Sequence, residues 1–309
     1  MSPKFQKRSA LKFVGRTIPC AKHIGISRKV EELIPPSFIL GIISVIDRQL
    51  QFTYTPFSKK KVLIPRERSH VMEKTVFFEI EGPIALITLN RPERHNSICQ
   101  DLLINLYNAI DEVARNSDIK VAILTGNGKS FCSGIDLSVI GKDNLLDPRG
   151  DGKDMPDVFA SCNKPIIGAI NGNTITGGFE LAMQCDFLIA SDNARFTDSH
   201  AKVGIHPGWG MTQLLQRSVG QRMAKQLSFT CKPLSAQDAL RCGLVNEVLP
   251  PAELVPRAKQ IAQDICAVNY GIMLQIKTLI EKQNAVSFDE ACKLEREGFQ
   301  DFIGKAKLF

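Results

Sequence analysis

Lys120-Val121-Ala122-Ile123-Leu124-Thr125, then Gly126-Asn127-Gly128, then Lys129-Ser130-Phe131-Cys132-Ser133-Gly134-Ile135-Asp136-Leu137, is the stretch whose reading decides the fold. Its first six residues form an apolar run of strand length, halted by a glycine-rich turn, as a buried strand of an α/β layer is. The residues after the turn read as a loop leading into a helix. The alternation repeats downstream. Residues 165–170 are another apolar strand, ended by Asn171-Gly172, and Gly177-Gly178 opens a helix through Phe179 and Cys185. Residues 187–190 read as a strand, followed by Ala194-Arg195-Phe196. Strands and helices alternating over 120–190 predict α/β layers with a helical tail.

Working outward, residues 75–80 and 84–89 are β-rich and separated by Glu81-Gly82-Pro83, which predicts a hairpin. The polar cluster from Asn90 to Ser97 is a turn. Leu103, Leu106, Ile110 and Val113 then recur at helical spacing. Residues 141–156, rich in Gly, Asp and Pro, read as a mobile surface loop. Beyond Gly208 the pattern is mainly helical, with Pro250-Pro251 as the clearest break.

Composition narrows the class. The 309 residues are 44% hydrophobic and 23% charged, ordinary globular values that exclude a disordered, collagen-like or coiled-coil chain. The longest apolar run, from Phe38 to Ile46, is interrupted by Gly41 and Ser44 and falls short of the roughly 20 residues a bilayer span needs. Nine cysteines without a CxxC pair read as reduced thiols, not as a disulfide framework or a metal site.

Charge is unevenly placed. Residues 1–71 carry 14 Lys and Arg against 4 acidic residues, so the net charge of +7 turns into −3 for residues 72–309. A mildly acidic body argues against a nucleic-acid partner. Residues 1–30 hold eight basic residues, no acidic one and several serines, the composition of a mitochondrial transit peptide. Residues 31–71 read as a linker. Equally, Met72 stands before the first strand and could be the working start.

Three features carry chemistry. Gly134 would let backbone approach a ligand and leave the Ile135 amide free for an anion. Thr176-Gly177-Gly178 opens a helix whose free amides favour negative charge. Together the Ile135 and Gly177 amides could form an oxyanion hole for an enolate. Glu180 lies in that otherwise apolar helix, where burial would raise its pKa towards working pH. Each feature alone reads more simply as tight packing or a dipole partner, and only their company and order favour a site.

That order resembles the crotonase (enoyl-CoA hydratase/isomerase) superfamily. The matching residues are Leu89-Asn90-Arg91-Pro92 with Asn96-Ser97, Leu124-Thr125-Gly126, Lys129 to Leu137 and Lys164 to Gly172. They continue with Gly177 to Ala182, Cys185-Asp186, Gly204 to Gly210, Ala236 to Ala239 and Gly243-Leu244-Val245. The resemblance covers residues 73–255 and, more loosely, the helices after them. It implies an α/β spiral of ββα units (a ClpP/crotonase-like fold) with a C-terminal helical region over 256–309. It also implies an acyl-CoA thioester substrate, no cofactor beyond the CoA of that substrate, and homotrimers often paired into hexamers.

By the same resemblance, the Ile135 and Gly177 amides hold the thioester oxygen and Glu180 matches the first of two catalytic glutamates. CoA would lie against Arg94-His95 and the segment Lys129 to Gly134, which includes Ser133. Asp136 would brace its loop. Trp209 would sit near the acyl pocket, limiting acyl length or simply packing. The second glutamate is missing: the chain reads Phe196-Thr197-Asp198-Ser199-His200-Ala201, with His200 in its place. Imidazole titrates close to neutral pH, so His200 could share the proton transfers, supported or replaced by Asp198. The alternative is that His200 only fills the pocket and Glu180 acts alone. A branch with Asp-x-His-Ala followed by Gly-Trp-Gly is commonly named enoyl-CoA hydratase. The chain closes soon after Leu294-Glu295-Arg296-Glu297 and ends Lys-Leu-Phe, unlike the Ser-Lys-Leu peroxisomal address.

The resulting expectation is hydration of trans-2-enoyl-CoA, as in fatty-acid β-oxidation. The rivals are a Δ3,Δ2-enoyl-CoA isomerase using one glutamate and a catalytically weak acyl-CoA-binding protein. The compartment is mitochondrial if residues 1–30 are a transit peptide, and otherwise cytosolic or peroxisomal.

Overall fold

In the computed structural model, β1 (Val76–Glu81) and β2 (Ile84–Leu89) form the predicted antiparallel hairpin, with Val76 opposite Leu89. The structure describes residues 74–282 and 284–306. The transit-peptide reading of 1–30, the linker and the possible start at Met72 lie outside the described residues. After the turn, α1 (Gln100–Arg115) buries Leu103, Leu106, Ile110 and Val113 as one stripe. Its spacing alone therefore located it.

Next come β3 (Val121–Gly126) and β4 (Ser130–Cys132), then α2 (Met155–Ala160). The pairing recurs as β5 (Ile166–Ile170), β6 (Asn173–Ile175) and α3 (Gly177–Met183), and again as β7 (Phe187–Ser191), β8 (Arg195–Thr197) and α4 (His200–Val203). The first strand of each pair joins a six-stranded sheet ordered β1-β2-β3-β5-β7-β10, and the second joins a four-stranded sheet ordered β4-β6-β8-β9. That repetition is the spiral of ββα units. The tail supplies α5 (Met211–Thr230), β9 (Leu234–Ser235), α6 (Ala236–Arg241) and β10 (Glu247–Leu249), then α7 (Pro251–Ala267), α8 (Tyr270–Lys282) and α9 (Phe288–Ala306).

β2, β3, β5, β7 and β10 run parallel, so the sheet needs cover on both faces. One face packs on α1 and the main core. The other carries Val121, Ile123, Ile167 and Ile189 against Leu254, Ala258 and Ala262 of α7, spaced four apart on one helix side. The side chains described in α8 and α9 are none of them fully buried, and Ile276, Ile280, Phe288, Phe299 and Phe302 stay exposed. Among the described residues, the eight cysteines are free thiols and no helix is long and apolar enough to cross a membrane.

Three expectations change. The helix predicted after Asp136 is only a 3-10 turn, Leu137–Val139, capped when Asp136 accepts from the Ser138 amide. The loop predicted over 141–156 ends early, because an Asp154/Asp157 capping box starts α2 at Met155. It is also tied to α1: Gln100 donates its amide to Asp143 and its side chain to the Pro148 carbonyl, and Arg149 pairs with Asp111 at 2.7 Å. Finally, the stretch read as a loop after Gly128 contains strand β4, and β6, β9 and β10, two or three residues long, leave no pattern to detect.

Candidate active site

The segment after β4 runs beside the turn that follows β2. Ser133 donates to the His95 carbonyl (3.0 Å), Ile98 to Gly134 (2.8 Å) and Asp136 to Ile98 (2.9 Å). These bonds form a parallel bridge between Ile98 and Ile135. Because backbone amides alternate in direction along extended chain, the bridge leaves the Ile135 N–H facing away from it. Gly177 is the first residue of α3, so its N–H has no partner within the helix. The two segments meet closely. Gly134 has φ +87°, and a Cβ there would stand 2.8 Å from Ile175 O and 3.4 Å from Gly177 N. A side chain at Gly134 would thus fill the space both amides adjoin. α3 has only seven residues, so individual amides matter here more than a helix dipole.

α3 packs so tightly on β4 that a Cβ at Gly178 would overlap the Cys132 carbonyl. Two residues on, Glu180 is 2% exposed. Its Oε1 accepts from the backbone amides of Trp209 (2.9 Å) and Met211 (3.3 Å). Its Oε2 lies 3.6 Å from His200 Nε2. On the far side of the ring, His200 Nδ1 is 2.7 Å from Asp198 Oδ1, which also accepts from the His200 amide at 3.1 Å. A buried carboxylate–imidazole–carboxylate row results.

Charge in this row is set by competition. Burial alone would depress the His200 pKa, but hydrogen bonding to Asp198 and Glu180, and then their charges, outweigh it and raise the pKa from 6.5 to about 9. His200 is therefore an imidazolium at neutral pH. For Asp198, burial would raise the pKa, yet hydrogen bonds from the His200 ring, Ser228 and the His200 amide hold it below the ordinary carboxylate value. Asp198 supports His200 and does not face Glu180 itself.

Trp209 is buried, with its ring against the start of α3: a Cβ at Gly177 would come within 3.3 Å of Cζ3. Its indole Nε1 is buried with no protein acceptor among the described residues, and Gln184 donates to its carbonyl at 2.8 Å. Arg94 and His95 are exposed on a 3-10 turn. Fully buried Asn96 fastens this turn to the next segment, donating to Asn127 O (2.9 Å) and Ser130 O (2.8 Å), while His95 Nδ1 meets Ser130 Oγ at 3.1 Å. Arg94, His95, Ser133 and Gly134 are thus brought together. Lys129 lies on an adjoining cleft of about 550 Å³ lined also by Asn171 and Pro251, and Glu180, Asp198 and His200 do not line it. Asp136 braces the loop, accepting from Ser138 and pairing with Arg91 at 3.2 Å. Among the described residues, no group of His, Cys, Asp and Glu is arranged to hold a metal ion.

Sequence reasoning found Glu180, Asp198 and His200 but missed the amides of Trp209 and Met211 that hold Glu180. Backbone donors carry no residue identity.

A ββα spiral whose α3 carries a buried carboxylate beside an imidazole has the crotonase fold. The chain belongs to the enoyl-CoA hydratase/isomerase family, whose profile matches residues 79–308. It is 41% identical over 220 residues to the Arabidopsis thaliana protein named "Probable enoyl-CoA hydratase 1, peroxisomal", covering 70% of this chain and 82% of that relative. It is 41% identical over 251 residues to the short-chain-enoyl-CoA hydratase of Clostridium acetobutylicum, covering 75% and 96%. Among solved structures it is similar to enoyl-CoA hydratase subunit I of Geobacillus kaustophilus HTA426, with a TM-score of 0.69 at 28% identity, covering 74% of this chain and 90% of that one.

Proposed function

We propose that the chain hydrates trans-2-enoyl-CoA to 3-hydroxyacyl-CoA, with Glu180 and His200 as its two proton-transfer groups. The observation that carries this reading is the 3.6 Å spacing between Glu180 Oε2 and an imidazole whose other nitrogen is anchored to Asp198. The thioester oxygen accepts from the Ile135 and Gly177 amides, which stabilise negative charge as the enolate forms. Glu180 takes one proton from water, and the hydroxide equivalent bonds to Cβ. His200 Nε2–H gives its proton to Cα, completing the product. The proton on Glu180 then passes to neutral His200, and the starting charges return. Water and the chain's own groups balance this sequence, with CoA as part of the substrate.

Arg94 and His95, with Ser133 and Lys129, supply a cationic and polar rim for the CoA phosphates, and Trp209 closes the acyl side of the oxyanion turn. Residues 72–255 then form the catalytic core. The exposed Ile276, Ile280, Phe288, Phe299 and Phe302 of α8 and α9 support assembly through residues 256–309, as a homotrimer or hexamer. The basic, acid-free residues 1–30 support a mitochondrial address.

Incubation in oxygen-18 water with crotonyl-CoA tests the reaction. Hydration places one solvent oxygen at Cβ. A product from 3-enoyl-CoA lacking solvent oxygen would identify an isomerase instead, and tight acyl-CoA binding without turnover would identify a binding protein.

A further inference from the structure

Thr176 has an unusual backbone, φ 51° and ψ −109°. A β-branched residue is the least favoured choice at positive φ, where glycine or asparagine sits with less strain. Strain of this kind persists only where the surroundings over-determine it. Here every polar group of Thr176 is engaged, and each reaches a different part of the site. Its carbonyl accepts from the amides of Phe179 and Glu180, both at 2.9 Å, starting the helix that carries the carboxylate. Its amide donates to Thr197 O at 2.8 Å. Its hydroxyl accepts from the Ser199 amide at 3.2 Å and hydrogen-bonds the Ser199 hydroxyl. Ser199 lies between Asp198 and His200, and Gly177 follows Thr176 directly.

Resting on the hydratase reading, we propose that Thr176 and Ser199 are positioning residues whose hydroxyl clasp locks the Asp198–His200 turn to the helix bearing Glu180 and the oxyanion amide of Gly177. A glycine at 176 would relieve the backbone but lose both hydroxyl bonds to Ser199. Without them, β6 and β8 would still pair through Ile175 and Thr197, but the turn beyond Thr197 would lose its side-chain bonds to the residue that opens α3. The charged groups facing His200 are Glu180 from α3 and Asp198 from its own turn. Asp198 is bonded to both the ring and the amide of His200, so a loosened clasp would widen the Glu180–His200 gap more than the Asp198–His200 one.

The test uses the full chain with Thr176→Val, Thr176→Ser and Ser199→Ala. The valine keeps the branched shape without the hydroxyl, and the serine keeps the hydroxyl. With crotonyl-CoA we expect Thr176→Val and Ser199→Ala to lose about 10- to 100-fold in kcat, the scale of a misplacement near 1 Å. KM should stay within about threefold, and Thr176→Ser should recover most of kcat. Independently of activity, the His200 titration followed by NMR in substrate-free protein should move down in both hydroxyl-deleted variants and stay in place in Thr176→Ser. Wild-type kcat and an unmoved His200 titration in Ser199→Ala would overturn the proposal. Should Thr176→Val fail to fold, Ser199→Ala decides alone. Wild-type protein inert to crotonyl-CoA would count against the hydratase reading, while the His200 titration would still decide the clasp.

Discussion

Replacing Asp198 with asparagine should change the pH at which His200 loses its proton more than whether the chain folds. Asparagine keeps an oxygen that can accept from His200 Nδ1 and from the His200 amide, the bonds seen at 2.7 and 3.1 Å. It removes the charge. In the native site the His200 pKa rises from 6.5 to about 9, a preference for the imidazolium of about 3 kcal/mol. Hydrogen bonding to Asp198 is the largest of the influences that raise it, and the Asp198 charge is another. A neutral amide oxygen accepts a weaker hydrogen bond than a carboxylate, so the substitution should lower the pKa by about one unit. At pH 8.5 the protonated fraction would fall from about three quarters to about one quarter, whereas at pH 6.5 His200 would remain mostly protonated. The assay is kcat/KM for crotonyl-CoA from pH 6 to 10, read from loss of the conjugated-thioester absorbance. We expect the alkaline limb of Asp198→Asn to lie about one unit below that of the wild type, with the activity deficit growing as pH rises. Superimposable alkaline limbs in variant and wild type, with both folded by circular dichroism, would refute the assignment of His200 as proton donor.

Other outcomes follow from the same geometry. Because the folded His200 pKa lies above its unfolded value, its contribution of about 3 kcal/mol is fully present below pH 6.5 and is lost as pH climbs through about 9. Denaturant melts at pH 6 and 9.5 should show that loss, and it should shrink in His200→Asn. Gly134→Ala combines φ +87° with a Cβ 2.8 Å from Ile175 O, so it should cost about 2 kcal/mol in thermal melts and abolish turnover by filling the space before the amides. Phe299→Asp with Phe302→Asp should lower the mass seen by light scattering while leaving far-ultraviolet circular dichroism unchanged. A wild-type monomer would refute the assembly role of α9.

Much of the fold was legible because burial imposes patterns. β3, β5 and β7 are covered on both faces and so read as unbroken apolar runs, and the α1 stripe from Leu103 to Val113 could be nothing but one side of a helix. β6 and β9 were illegible because two or three residues held by neighbouring backbone leave no periodic trace. Asp136 and Ser138 misled for a related reason. A capping carboxylate starts a 3-10 turn by the same local hydrogen bond that starts a helix, and nothing nearby in the sequence says how soon it stops. In the site, residue types gave Glu180, Asp198 and His200. Their order in space came only from structure: Asp198 behind the imidazole, Glu180 in front, and the amides of Trp209 and Met211 holding the carboxylate. The strain at Thr176 was equally hidden, since no sequence pattern reports a positive φ at a threonine.

The most direct measurement is the absorbance of crotonyl-CoA mixed with the full chain, beside Glu180→Gln and His200→Ala. We expect fast loss of the conjugated band with wild type, at least about a thousandfold slower loss with Glu180→Gln, and a rate reduced by about a hundredfold or more with His200→Ala. No loss of the band with crotonyl-CoA or a longer enoyl-CoA would contradict the hydratase reading, and a His200→Ala rate equal to wild type would leave Glu180 as the sole catalyst.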